Sequence, residues 1–187
     1  MARLILGLGN PGERYRDTRH NAGFLVVEEL ARRRGLRLDR PECGAFVVRG
    51  EGDVLLAQPQ TYMNRSGWAA RCLVESHGLD PADVLVVYDE VALPFGRLRL
   101  RKSGSPGGHR GLESVIENLR TDQVPRLRLG VSPEDGPPQG EDLVEFVLSP
   151  FPGEQREAVD AMVSRAADAC EVWLREGAEA AMQKFNG

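Results

Sequence analysis

The sequence predicts an α/β protein: a single-domain, three-layer fold in which a mixed β-sheet is flanked by helices. Short apolar runs rich in β-branched residues alternate along the chain with segments whose apolar residues recur at helical spacing. Two of these runs are separated by one four-residue turn, which indicates an antiparallel hairpin. The chain has 187 residues, a length typical of one well-packed domain, so residues 1–187 are predicted to form that domain.

The first half of the chain contains four predicted strands and two helices. The strands are Arg3–Leu6, Ala45–Arg49, Val54–Gln58 and Val84–Tyr88. The last of them is the most apolar and β-branched run in the sequence, so we expect it at the centre of the sheet. Apolar spacing predicts one helix that begins after Asn21, which is expected to be its N-cap, and is closed by Gly35, and another that ends at Gly78.

The second half begins with a strand in which Leu98 and Leu100 alternate with arginines, followed by a glycine-rich loop over 103–111. Residues 112–119 carry a helical apolar stripe, and Leu127, Leu129 and Val131 alternate as a strand. A last strand is predicted at Leu143–Leu148, and an amphipathic helix follows Gly153.

Charge is distributed unevenly along the chain. The whole sequence carries a formal charge of −4, but residues 97–128 carry a net +5. A basic patch on an otherwise acidic protein suits a polyanionic partner bound at one face. The alternative is that these arginines are only the solvated face of a strand.

The cysteines, histidines and apolar runs exclude several classes of protein. Cys43, Cys72 and Cys170 are odd in number and lack CxxC spacing, so we expect neither a disulfide framework nor a zinc site, but small buried side chains. The three histidines show no metal-ligand spacing, and no metal is expected. No apolar run approaches the ~20 residues of a membrane span, and the N-terminus lacks a secretory apolar region, so a cytoplasmic protein is expected.

Two polar motifs near the N-terminus suggest a ligand site. Gly7–Gly12 reads GLGNPG and is expected to let the backbone approach a ligand, while Thr18–Gly23 brings His20 to the same place. The first motif also fits the dinucleotide fingerprint, but no apolar helix starts at its third glycine and Glu28 and Glu29 lie in a helical stretch. A merely structural turn is the other alternative.

Asp89 directly follows the predicted central strand, so its carboxylate is expected in the same crevice as Asn10. A carboxylate there would orient the His20 imidazole and raise its basicity. The sequence has no GxSxG, SxxK or Cys–His nucleophile motif. A His–Asp pair without a nucleophile is suited to activating water as a general base.

A third polar segment, Gln60–Gly67, follows another strand, and here Tyr62 and Met63 are expected to supply apolar walls. Together the motifs resemble those of the bacterial peptidyl-tRNA hydrolases over nearly the whole chain. They are GLGNPG at 7–12, Tyr15, TRHNAG at 18–23, YMNRSG at 62–67, Asp89-Glu90 with Leu93-Pro94, and GGH at 107–109.

The resemblance implies an enzyme, most often a monomer, that cleaves the ester between a peptide and the 3′-terminal ribose of tRNA, without metal or cofactor. It implies His20 as general base, Asp89 as its support, and Asn10 in recognising N-blocked ends. Contacts to the 3′ end and to the acceptor-stem phosphates are implied for Tyr15, Tyr62, Met63, Asn64, His109, Arg110, Arg99, Arg101 and Arg128.

Two positions depart from the family pattern. The family usually has an asparagine after the GGH motif, where this chain has Arg110, which carries a permanent charge and accepts no hydrogen bond. Ala92 stands where relatives often have an acid. Two other function classes stay open at this point: a non-catalytic RNA-binding relative of the same fold, and a nucleotide-dependent oxidoreductase.

Overall fold

Seven strands form one sheet at the centre of the structure, a computed structural model that describes residues 1–187. They are β1 (Arg3–Gly7), β2 (Arg40–Glu42), β3 (Ala45–Gly50), β4 (Val54–Pro59), β5 (Val84–Pro94), β6 (Leu98–Arg101) and β7 (Arg126–Ser132). Their order across the sheet is β2-β3-β4-β1-β5-β7-β6. The β1/β4, β1/β5 and β5/β7 pairs are parallel and the others antiparallel, so the predicted mixed sheet and hairpin are confirmed.

Six helices complete the fold. They are α1 (Ala22–Arg33), α2 (Ser66–His77), α3 (Arg110–Leu119), α4 (Glu141–Val147), α5 (Arg156–Glu176) and α6 (Ala178–Phe185). Residues of α1, α5 and α6 pack with one face of the sheet, and residues of α2 and α3 with the other. The three-layer arrangement is therefore confirmed.

The apolar run at the start of β5 is buried on both faces. Leu85 and Val87 belong to the core under α1 and α5, while Val84, Val86 and Tyr88 belong to the core under α2 and α3. Strands with two covered faces have continuous apolar runs, which is why this segment stands out in the sequence. It lies between β1 and β7, inside the sheet as predicted.

Two glycines of the first motif, Gly7 and Gly9, serve helix packing, a role that the sequence pattern did not indicate, while a role of the motif beside a ligand stays a prediction. A Cβ on Gly7 would lie 2.3 Å from the carbonyl oxygen of Gly23, and one on Gly9 would lie 2.7 Å from the Phe24 ring. A Cβ on Gly23 would in turn lie 2.2 Å from the carbonyl oxygen of Val87. The small residues therefore bring the start of α1 against the end of β1 and the first half of β5, and with it the residues just before the helix.

The predicted strand at Leu143–Leu148 is wrong, because most of this segment forms α4. Its apolar residues recur at helical spacing, which the β-branched valines obscure in the sequence. The glycine-rich loop also ends earlier than predicted. Arg110 and Gly111 belong to the first turn of α3, with His109 as its N-cap.

The prediction for two of the cysteines is also wrong. Cys43 and Cys72 form a disulfide that connects the turn between β2 and β3 to α2, with the Cα atoms 5.5 Å apart. The β2/β3 hairpin lies against α2, and this tertiary contact brings together two cysteines that are 29 residues apart in sequence. Cys170 alone is a buried free thiol, as predicted.

The longest helix, α5, has 21 residues but carries charged residues throughout. No helix in the structure is both long enough and apolar enough to cross a membrane.

Candidate active site

A pocket of about 380 Å³ opens beside the carboxyl end of β1. Of the predicted site residues, seven line it: Asn10, His20, Met63, Asn64, Asp89, His109 and Arg110. Tyr15, Tyr62, Arg99, Arg101 and Arg128 lie outside its wall. The pocket therefore brings these seven residues together from five separate parts of the sequence.

His20 and Asp89 meet at the base of this pocket. Nδ1 of His20 lies 2.8 Å from Oδ2 of Asp89, and Nε2 makes no hydrogen bond within the protein. β1 ends at Gly7, opposite Val87, so Asp89 lies two residues beyond the end of its neighbouring strand. β5 itself continues to Pro94, which corrects the prediction that the strand ends before Asp89.

A second imidazole contacts the same carboxylate. Nε2 of His109 lies 3.0 Å from Oδ1 of Asp89, while Nδ1 of His109 accepts a hydrogen bond from the amide of Leu112 at 3.2 Å. Because Nδ1 of His109 is an acceptor, Nε2 carries the hydrogen and donates a hydrogen bond to Asp89. The rings of His109 and His20 lie 5.1 Å apart. Asp89 thus accepts hydrogen bonds from both histidines.

These contacts set the protonation of the site. Burial alone would raise the pKa of Asp89, but the charge of protonated His20 and the hydrogen bonds from His20 and His109 hold it well below its ordinary value. Burial would lower the pKa of His20, but the charge and hydrogen bond of Asp89 outweigh this effect and raise the pKa above its ordinary value. Asp89 is therefore an anion, and His20 a stronger base than a free imidazole.

His20, Asp89 and His109 present ligand atoms within 4.8 Å of one another, a spacing that could hold a metal ion. The two nitrogen atoms that face Asp89 already hydrogen-bond to its oxygens. Hydrogen bonding therefore accounts for the cluster, and a reaction without metal stays a prediction.

Asn10 is held by a network that leaves one of its groups free. Its backbone amide donates to Oδ1 of Asn21 at 2.8 Å, and its Oδ1 accepts from the amide of Met63 at 2.8 Å. Asn21 also donates to the carbonyl of Asn10, so its side chain orients Asn10 instead of capping α1. The side-chain NH₂ of Asn10 has no partner within the protein and is available to a ligand in the pocket.

An apolar wall on one side of the pocket was missed in the sequence. It is formed by Leu143, Val144 and Val147 of α4 and by Leu148 just beyond it. Arg19, the residue just before His20, holds this helix in place. Its Nη1 donates a hydrogen bond to the carbonyl of Phe146 at 3.1 Å, and its guanidinium carbon lies 3.9 Å from the centroid of the Phe146 ring. The apolar wall and the general-base candidate are thus anchored to the same short segment.

The predicted basic face lies on β6 and β7. Arg99 pairs with Arg128, and Arg101 with Arg126, across the antiparallel strands, so all four side chains share one face. Arg126 is buried and donates to three backbone carbonyls, and Arg128 pairs with Glu90 at 3.2 Å. Arg99 and Arg101 have no acidic partner and are the more available cations.

Comparison with known proteins agrees with this arrangement. The family model described as "Peptidyl-tRNA hydrolase" matches residues 4–187. The chain belongs to the peptidyl-tRNA hydrolase family. It is 50% identical over 191 residues to a peptidyl-tRNA hydrolase of Synechococcus sp. (strain JA-3-3Ab), covering 98% of this chain and 82% of that protein. It is 45% identical to that of Carboxydothermus hydrogenoformans, with 98% and 97% covered.

A solved structure shares the fold. The crystal structure of peptidyl-tRNA hydrolase from Acinetobacter baumannii superposes with a TM-score of 0.91 at 32% identity, covering 100% of this chain and 95% of that one. The α/β fold and the resemblance to the peptidyl-tRNA hydrolases are both confirmed.

Proposed function

We propose that this chain hydrolyses the ester of peptidyl-tRNA with His20 as the general base that activates water. Membership of the peptidyl-tRNA hydrolase family makes it an ester hydrolase acting on this substrate class. The observation that carries the mechanism is the orientation of His20: Nδ1 contacts Asp89, and Nε2 remains free in the pocket. An imidazole oriented in this way accepts a proton from water at Nε2.

Asp89 and His109 orient and stabilise the general base His20. The Asp89 carboxylate fixes the Nδ1–H tautomer of His20 and stabilises the imidazolium that forms when water is deprotonated. His109 donates a second hydrogen bond to Asp89 and so holds the carboxylate in place. His109 is therefore a positioning residue, in addition to its predicted contact with the substrate.

Asn10 and Asn64 provide polar contacts to the acyl group. The free NH₂ of Asn10 suits an amide carbonyl oxygen, which an N-blocked substrate has and a free aminoacyl-tRNA lacks. Asn64 is exposed, lines the pocket and makes no side-chain hydrogen bond within the protein. The apolar wall of α4 suits the side chains of the peptide.

The nucleotide part of the substrate is assigned to the outer residues. We assign Tyr15 and Tyr62 to contacts with the 3′ end, and Met63, which lines the pocket, to an apolar wall beside it. Arg110 is exposed at the pocket and unpaired, which suits a phosphate. Arg99 and Arg101 are assigned to acceptor-stem phosphates, and a phosphate contact of Arg128 stays a prediction because Glu90 already pairs with it. A monomer and a cytoplasmic location also stay predictions.

The direct test is the release of N-acetylated amino acid from N-acetyl-aminoacyl-tRNA by the purified protein in the presence of EDTA. We expect release from the N-blocked substrate and much slower release from free aminoacyl-tRNA. A non-catalytic RNA-binding relative would bind the tRNA and release nothing, and an absolute requirement for metal would contradict the proposed mechanism.

A further inference from the structure

The first turn of α2 exposes an indole ring close to the pocket. Trp68 is 59% exposed and belongs to neither core, whereas Ala69, Ala70 and Leu73 of the same helix are fully buried. The guanidinium carbon of Arg65 lies 4.9 Å from the ring centroid of Trp68. Such an Arg–Trp stack holds a flat, polarisable surface in water without contributing to the packing of the helix.

This pair adjoins residues that line the pocket. Trp68 follows Asn64 by one helical turn, and Asn64 lines the pocket. The amide of Gly67 donates to the Ser114 hydroxyl at 2.9 Å, so the start of α2 packs directly on α3. α3 begins with Arg110, which also lines the pocket. Trp68 therefore follows directly on the residue that packs on α3 and lies four residues from a residue of the pocket wall.

The charge at this place favours a nucleotide. Arg65 and Arg110 are exposed and have no acidic partner, whereas Arg71, the next arginine along α2, pairs with Glu75 at 2.9 Å. One uncompensated cation therefore stacks on the exposed indole ring, and a second lies on the pocket wall. An aromatic face beside cations is the arrangement with which proteins bind unpaired nucleotides, the ring stacking on a base and the cations contacting phosphate. An apolar protein partner would leave both charges without a counterion.

We propose that Trp68, together with Arg65, binds an unpaired base at the 3′ end of tRNA by stacking. This inference rests on the proposed function, since it assigns the nucleotide side of the same substrate. The indole then contributes to recognition of the tRNA end, while the chemistry stays with His20.

Steady-state kinetics on N-acetyl-aminoacyl-tRNA test the proposal. Trp68→Ala should raise KM about tenfold, and Trp68→Phe, which keeps an aromatic ring, should raise it less than about threefold. Phe46→Ala is the matched control, because Phe46 is a 36% exposed aromatic on β3 that does not line the pocket. This control should leave KM at the wild-type value.

Intrinsic tryptophan fluorescence gives a second readout, which can be measured on the wild-type protein. The chain has two tryptophans, and Trp173 is only 2% exposed. Titration of the wild-type protein with the trinucleotide CCA should therefore quench the Trp68 emission. In Trp68→Phe the remaining emission should not respond to CCA.

Three results would overturn the proposal while the hydrolase activity stands. One is an unchanged KM in Trp68→Ala, and another is inhibition of hydrolysis by CCA without quenching. The third is quenching of the Trp68 emission that increases with protein concentration when no nucleotide is present. This result would assign the indole to a contact between two copies of the chain. Failure of the wild-type protein to release any N-acetylated amino acid would instead refute the proposed function.

Discussion

At the scale of single residues, Asp89 accepts hydrogen bonds from two imidazoles and thereby determines the base strength of His20. The pKa of His20 is raised above its ordinary value of 6.5. Only neutral His20 accepts a proton from water, so kcat/KM should rise with pH with a midpoint above this value.

Replacement of Asp89 by Asn tests this coupling. The pKa of His20 falls when the negative charge is lost, so the rising limb of the pH profile should move to lower pH. The maximal rate should decrease by about 10²–10⁴-fold, because an amide does not stabilise the imidazolium. The measurement is kcat/KM from pH 5 to 9. A limb that stays at the wild-type pH would refute the coupling.

Arg110 is the residue at which the site departs from its family. It is exposed, unpaired and lines the pocket, so its charge is available to a phosphate. Arg110→Asn should raise KM for the tRNA substrate and flatten its dependence on salt, while kcat is kept or increased because an amide returns to the site. If KM and its salt dependence are both unchanged, Arg110 is a solvated residue without a role in binding.

The sequence predicts some of these residues better than others. His20 and Asp89 can be predicted because each follows a recognisable pattern, a polar motif before a helix and an acid after an apolar strand. The contact of His109 with Asp89 cannot, because it depends on where a glycine-rich loop returns to the sheet after 20 residues. The role of Asn21 also differs from its prediction, since an N-cap residue and a tertiary hydrogen-bond donor look alike in sequence.

At the scale of elements, α4 is held over the pocket from its C-terminal end. Arg19 donates to the carbonyl of Phe146, and the segment just after the helix forms an isolated bridge between Thr18 and Pro150. That carbonyl also accepts a hydrogen bond from the amide of Ser149 at 3.1 Å, so the guanidinium adds a second, charged donor at the end of the helix. The position of the apolar wall therefore depends on the chain just before His20.

Arg19→Met should loosen α4 and enlarge the pocket. We expect KM for N-acetyl-phenylalanyl-tRNA to rise about tenfold, since a hydrogen bond from a charged group and a cation–π contact are both lost. KM for the N-acetylglycyl substrate should change much less, because it lacks an apolar side chain. Arg16→Met is the control, as Arg16 contacts only Glu13 in an exposed pair. Equal effects on both substrates would show that Arg19 acts on His20 instead.

Strands and helices can be predicted from the sequence where burial determines the spacing of the apolar residues. β5 is read directly from its apolar run, and β3 and β4 from the turn that joins them. The segment at 143–148 was predicted wrongly because Leu143, Val144, Val147 and Leu148 have helical spacing, while the two β-branched valines are typical of a strand. No periodicity indicates the Cys43–Cys72 bond, which arises only when the hairpin reaches α2.

At the scale of the whole molecule, two unpaired arginines form a local cationic face on a protein of negative net charge. A chain with a formal charge of −4 presents Arg99 and Arg101 together on one face of the β6/β7 edge. A negatively charged protein with one cationic face repels polyanions elsewhere and orients them at that face. The β6/β7 edge of the sheet is therefore the expected approach of the acceptor stem.

Removal of these cations should weaken tRNA binding in a salt-dependent way. Arg99→Ala and Arg101→Ala should each reduce the slope of log K against log salt by about 0.9, the value for one duplex phosphate contact. Arg37→Ala is the matched control, since Arg37 is exposed just before β2 at the opposite edge of the sheet. A slope unchanged in both variants would place the acceptor stem elsewhere.

The proposed mechanism of hydrolysis depends on His20 as the group that activates water. The most direct measurement is kcat/KM of His20→Asn on N-acetyl-aminoacyl-tRNA, with tRNA affinity and the free energy of unfolding measured on the same preparation. We predict a loss of about 10²–10⁴-fold in kcat/KM with tRNA affinity retained. A folded His20→Asn protein that hydrolyses the substrate within about threefold of the wild-type rate would contradict the account, because general-base catalysis contributes far more than that.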